Sequence, residues 1–146
     1  MRLLLRLATA TALAVDAYVH ADLVPRYQPN SSGGLSQGDL FRIEAAFAAL
    51  AALLLVLTGR RLAWLLALVV AASGVAAVLG YANYDVGSIG PIPDMYEPLW
   101  YPEKTLTTVA EACAVAISVL GLVTTTHGRR DKLRLSGRHS TRPVRQ

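Results

Sequence analysis

An all-α, antiparallel bundle of four transmembrane helices with both termini cytoplasmic is the architecture encoded by this 146-residue chain, and three features carry it. The first is a set of four apolar runs, Leu3–Leu23, Leu40–Thr58, Leu62–Ala82 and Thr105–Thr126. Each is long enough to cross a ~30 Å hydrocarbon core at ~1.5 Å rise per residue. The second is composition: 53% of residues are hydrophobic and only 16% charged, a membrane balance rather than a soluble one. The third is charge asymmetry. Arg2, Arg6, Arg60, Arg61 and the seven basic residues of the tail make up 11 of the 14 Lys and Arg, and alternating spans put all of them on one side. Basic residues accumulate on the cytoplasmic side, so the expected topology is N-in, C-in.

The first segment also resembles a secretory leader. Met1–Arg6 reads as its basic region, Leu7–Val15 as its apolar region and Val19-His20-Ala21 as its small-residue cleavage site. Asp16 and His20 are unusual in a disposable leader, and the apolar stretch continues through Leu23-Val24, so a retained helix is expected. That helix is predicted to stop before Pro25, because proline disfavours helix at the residue before it. Residues 24–39 form an outer loop rich in turn formers. Asp39 is the expected N-cap of the second helix.

Thr58-Gly59-Arg60-Arg61 is a tight hairpin that makes the second and third helices antiparallel neighbours. Small residues at four-residue spacing, Ala45/Ala49 and Ala48/Ala52, then Ala72/Ala76/Gly80, are the expected close-packing faces. The second outer loop, residues 83–104, holds four of the seven prolines and an aromatic group of Tyr96, Trp100 and Tyr101. Two readings stand. The aromatics are an interfacial belt, or the Asp94–Pro102 segment is a lid over the bundle's outer mouth. Residues 127–146 carry seven basic residues and one acid. They are expected to be disordered and drawn to anionic cytoplasmic lipid, at ~1 kcal/mol per basic residue near the surface; no nucleic acid is expected as a partner.

Charged groups inside a membrane span are costly and usually face the bundle interior. Here Asp16 and His20 share one helix face, Glu44 lies on the second helix and Glu111 on the fourth. Counted from the outer helix ends, the carboxyls fall at similar depths of roughly 6–10 Å. On the fourth helix Lys104, Thr107, Thr108, Glu111, Ala114 and Ser118 form one inward stripe, while Cys113 lies well away from Glu111. Hydroxyls of Ser73, Tyr81 and Tyr84 are candidate partners for the carboxyls.

Several chemistries fit this cluster. Arg42, Lys104 and protonated His20 can neutralise the acids in a packing network. One imidazole with carboxylates suits a divalent metal ion, with Asp16, His20, Glu44 and Glu111 as candidate ligands. A pocket for a small amphipathic ligand or quinone is the third option. Ion translocation fits less well, because Leu50–Leu57 and Leu62–Val70 are almost wholly apolar. Gly-rich phosphate loops, His-Glu-x-x-His, paired cysteines and nucleophile elbows are absent from the sequence. No soluble catalytic machinery is implied, and an accessory or scaffolding subunit, alone or self-associated, remains the alternative to ligand binding.

Several short features follow one another along the chain: Val19-His20, Leu40-Phe41 with Glu44, Gly80-Tyr81, Pro91 with Glu97-Pro98-Leu99-Trp100, and Val109 to Glu111-Ala112. In this order they resemble a family of small four-helix bacterial integral membrane proteins of unknown function, common in actinobacteria and distantly DoxX-like. The resemblance covers roughly residues 10–122 and implies a multi-pass protein of the plasma membrane. Some DoxX-like proteins are linked to quinone-coupled redox chemistry, which favours the ligand-pocket option.

Overall fold

The computed structural model describes residues 2–31 and 33–139, with side chains described through Thr125. Four helices account for most of it: α1 (Arg2–Tyr27), α2 (Gln37–Thr58), α3 (Arg61–Asn83) and α4 (Pro102–His139). Among the described residues there is no strand, only two isolated bridges, Ser31↔Ser36 and Ile89↔Ile92. All four helices are long and apolar enough to cross a membrane, α4 over Pro102–Thr125.

The helices form a square. α1 packs on α2 and α4, and α3 packs on α2 and α4, while α1 and α3 lie nearly diagonal. Direction follows from individual contacts. Arg6 near the start of α1 donates to the carbonyls of Leu55 and Val56 near the end of α2. Arg2 reaches Thr124 O on α4 at 2.9 Å. Trp64 near the start of α3 lies against Gly121 towards the far end of α4. Neighbouring helices are therefore antiparallel. Arg6 also supplies the donors that a helix C-terminus lacks, since the last four carbonyls have no partner within the helix.

Local chemistry sets the ends. Ser36, not Asp39, is the N-cap of α2. Ser36 Oγ accepts from Asp39 N at 3.0 Å and the Asp39 carboxylate accepts from Ser36 N at 3.0 Å, a reciprocal capping box. Gly59 closes α2 in the left-handed conformation at φ 55°, its N–H bonded to Leu55 O. α4 opens on Pro102, whose missing N–H costs nothing in a first turn.

α1 runs through Pro25 to Tyr27, beyond the expected stop. The proline removes one donor in the last turn, and the Gln28 N–H still reaches Val24 O at 2.9 Å. Tertiary contacts hold that turn: the Tyr27 ring meets Phe41 edge-on at 5.1 Å, and its hydroxyl bonds the Tyr101 hydroxyl at 2.8 Å. The α4 backbone is helical to His139, where disorder was expected from residue 127. Lys, Leu and Arg in that stretch are good helix formers. The rest of the expected tail, residues 140–146, lies outside the described residues.

Of the expected small-residue faces, Ala48/Ala52 packs inward, with Ala48 in the core and Ala52 against it, and the others differ. The buried positions are Ala48, Ala51 and Leu55 on α2 and Ala63, Ala67, Ala71 and Gly74 on α3. Ala49, Ala72 and Ala76 are exposed. Four-residue spacing marks several faces in an alanine-rich helix, and Trp64 decides between them. Its side chain is buried at the α3–α4 seam, where a methyl on Gly121 would fall 2.5 Å from the ring, so α3 turns its Ala63–Ala67–Ala71 face inward.

Candidate functional site

Three of the four expected groups meet in the core between α1 and α4, with Gly74 of α3 behind them. A ligand atom from each of Asp16, His20 and Glu111 lies within 4.8 Å of the others, and all three residues are buried. Asp16 and His20 are one helical turn apart, which puts both on the inner face of α1. His20 Nδ1 stands 2.9 Å from Asp16 Oδ1 and 3.1 Å from Asp16 O. Thr107 on α4 donates from Oγ1 to Asp16 Oδ1 at 2.5 Å and lies 3.5 Å from His20 Nδ1. Phe41 holds the imidazole from the side, edge to face at 5.3 Å.

Glu111 is fully buried, and no donor among the described residues reaches its carboxyl oxygens or Asp16 Oδ2; the Asp16 side chain itself lies within hydrogen-bonding reach of the Glu111 carboxyl. What makes room for Glu111 is Gly74. A methyl on Gly74 would lie 2.5 Å from Glu111 Cδ and closer still to Oε1. Absence of a side chain on α3 is thus part of the site's shape.

A cavity of about 380 Å³ lies beside this cluster at the loop end of the bundle. His20, Thr107, Glu44 and Lys104 contribute polar groups, and Leu23, Leu40, Phe41, Ile43, Ala77 and Val78 much of the apolar wall. Asp16 and Glu111 are not part of its lining; His20 and Thr107 border both. Ile43, Ser73 and Ala77 line the cavity yet are exposed, so it communicates with the surface between α2 and α3.

Other expected participants are placed differently. Glu44 is half-buried on the cavity wall, within electrostatic range of Asp16 and His20 but outside the three-residue group; its Oε1 is buried without a partner. Arg42 is exposed and pairs with Asp39 at 2.6 Å, so it neutralises none of the buried acids. It lies three residues after Asp39, on the outward side of the capping box. Lys104 is buried, but its ammonium donates to the carbonyls of Glu97 and Leu99 and sits 5.2 Å over the Trp100 ring. Its charge is spent on the second loop. Ser73 Oγ donates to Val70 O, Tyr81 lines the cavity, and Tyr84 is largely exposed.

The second loop contributes to the cavity wall, and of the aromatic residues singled out there only Tyr101 takes part. Ile92, Met95, Glu97 and Tyr101 line it, whereas Tyr96 and Trp100 are exposed. The loop is tied down at several points. Glu97 N donates to Tyr81 O at 3.0 Å, Leu35 N to Pro91 O at 2.9 Å, and Asn30 Nδ2 to Asp94 O at 2.9 Å. Ile89 and Ile92 exchange backbone hydrogen bonds around Gly90, which sits at φ 58°, and Pro91. Burial and the Tyr27 hydroxyl together hold the Tyr101 phenol well above the usual tyrosine range.

The sequence did not single out Gly74, and it held Met95 and Glu97 only as members of the Asp94–Pro102 segment. A lone glycine within an apolar run was the available signal for Gly74; nothing local marks Met95. No protein-family model, curated protein or solved structure matches this chain.

Proposed function

We propose that the chain is a multi-pass plasma-membrane protein, N-in and C-in, whose outer cavity holds a small amphipathic molecule taken from the bilayer. The observation that carries this is the cavity of about 380 Å³ with apolar walls, a polar floor and a side opening between α2 and α3. Its size lies within the roughly 300–1,000 Å³ of small-molecule sites, which combine apolar walls with a few placed polar groups. A headgroup bearing hydroxyl or carbonyl oxygens would meet His20, Glu44, Thr107 and Lys104. A quinone, the class implied by the DoxX-like resemblance, is one such molecule. Basic residues beyond residue 127 would rest on anionic lipid of the inner leaflet.

A second reading has one support. Ala72 and Ala76 face outward on α3, and outward small residues at this spacing favour association of membrane helices. On that reading the chain is a non-catalytic scaffold or accessory subunit.

Organic extraction of the protein purified in mild detergent separates the two. The ligand reading expects a stoichiometric small molecule, lost in Ala77→Trp, where an indole fills the cavity mouth, with the melting temperature retained. Wild-type protein that yields no such molecule but co-purifies with a second membrane chain would replace it with the accessory reading.

A further inference from the structure

We propose that Asp16, His20 and Glu111 bind one divalent transition-metal ion beneath the cavity floor. Their geometry is the first support. One atom from each lies within 4.8 Å of the others, while two ligands of a tetrahedral ion at ~2.1 Å stand ~3.4 Å apart. A closure of up to ~1.4 Å at the widest pair, within reach of side-chain rotation, completes the set. The 2.9 Å between His20 Nδ1 and Asp16 Oδ1 is already inside the ~3.4 Å separation of two ligands on such an ion.

Unused donor capacity is the second support. Asp16 and Glu111 are fully buried with their carboxyls beside each other, yet no donor among the described residues reaches Asp16 Oδ2 or either Glu111 oxygen. Buried polar atoms are nearly always partnered, so carboxyl oxygens that no donor reaches, on two residues of one cluster, ask for a cation. No Lys or Arg among the described residues pairs with them. Among the described residues the ion pairs are His20–Asp16 and Arg42–Asp39. Arg2, Arg6 and Lys104 donate to backbone carbonyls. Two carboxylates, a neutral imidazole and a dication sum to zero charge, the favoured state inside a span.

The surroundings are built for ligands. Gly74 lets the Glu111 carboxyl lie flat against the α3 backbone. Thr107 donates to Asp16 Oδ1 at 2.5 Å, the outer-shell hydrogen bond that orients a metal-binding carboxylate. One imidazole with two carboxylates selects zinc, manganese or iron over magnesium or calcium, which prefer all-oxygen shells. Access runs through the cavity, because His20 and Thr107 face both spaces. The ion does not depend on the cavity's holding an organic ligand, since Asp16 and Glu111 are outside its lining.

The test is titration of the full-length, chelator-stripped protein in detergent with Co²⁺ alone. Expected are about one ion per chain, a visible d–d absorption band and a higher melting temperature. Thr107→Val should weaken Co²⁺ binding by ~10–100-fold while the protein still melts cooperatively. The double variant Asp16→Asn/Glu111→Gln should lose the band. Wild-type protein that shows neither band nor thermal shift up to millimolar Co²⁺, Zn²⁺ and Mn²⁺ overturns the proposal, and so does a band that survives undiminished in the double variant. Should the double variant not fold, the wild-type titration and Thr107→Val decide alone. A negative metal result beside a co-purifying organic molecule would remove the ion and leave the cavity reading standing.

Discussion

Gly74 on α3 and Glu111 on α4 are complementary: the carboxyl occupies the space where any larger residue at position 74 would put its Cβ. Gly74 also lines the open cavity, whereas Glu111 does not, so the contact joins the wall of the accessible space to the closed core. Glu111 is held by shape on one side, and no donor among the described residues reaches it on the other. A site of this kind is sensitive to added volume and tolerant of neutral isosteres.

Gly74→Ala should therefore destabilise the protein by ~1–3 kcal/mol through overpacking. Gly80→Ala, on the same helix with nothing within 4 Å of the added methyl, should be neutral or stabilising by up to ~1 kcal/mol. Thermal melts of the two variants in detergent check this. Equal effects would mean that the approach of Glu111 to α3 is not tight.

For metal-free protein, Glu111→Gln should melt no lower than wild type. Replacing a buried carboxyl that has no cation by a neutral group of equal shape removes a desolvation cost. Glu111→Ala differs, since it leaves a cavity and should cost ~2 kcal/mol or more. Asp94→Ala, at an exposed loop position where only a turn bond to Tyr96 N is lost, should stay near ~0.5 kcal/mol. Equal melting temperatures for Glu111→Ala and Asp94→Ala would show that Glu111 is not in the core.

At the start of α2 the neighbouring polar residues should be unequal. Ser36→Ala removes one half of the capping box and should cost ~1 kcal/mol. Arg42→Ala breaks an exposed ion pair and should cost less than ~0.5 kcal/mol. A larger loss at Arg42 than at Ser36 would contradict the outward placement of Arg42.

Alkaline titration should single out Tyr101. Its folded-state phenol loses its proton only well above the usual tyrosine range. A group with a raised folded pKa contributes stability that is complete below its unfolded value, about pH 10 for tyrosine, and is lost as pH rises above it. Tyr101→Phe should remove the latest-titrating phenolate from the ultraviolet difference spectrum and flatten the fall in stability above about pH 10. A wild-type spectrum in which all tyrosines titrate together would refute the buried Tyr27–Tyr101 bond.

Membrane orientation is open to labelling with an impermeant thiol reagent. In a Cys113→Ser background, a cysteine at Asp94 should label from outside intact cells and a cysteine at Arg60 only after permeabilisation. Labelling of position 60 from outside would invert the topology.

Sequence alone determined that the chain is helical and suited to a bilayer. Hydropathy and helical period are local properties, and a run such as Leu62–Ala82 has few other ways to satisfy its backbone in lipid. The inward stripe of α4, from Lys104 through Thr107, Glu111 and Ala114 to Ser118, was legible for the same reason: a period of 3.6 needs no partner to be read. Tertiary structure decided which polar residues meet. Arg42 and Lys104 stand near the acids in sequence-derived depth, yet one turns outward to Asp39 and the other upward to the loop carbonyls. Depth along a helix fixes one coordinate, whereas contact also needs rotation about the axis, and that is set by neighbours. Here Trp64 against Gly121 and Gly74 against Glu111 set the rotation of α3, and their close approach exists only once the helices are side by side. The stop expected at Pro25 was overridden likewise, by Tyr27 contacts to Phe41 and Tyr101 that a local rule cannot contain.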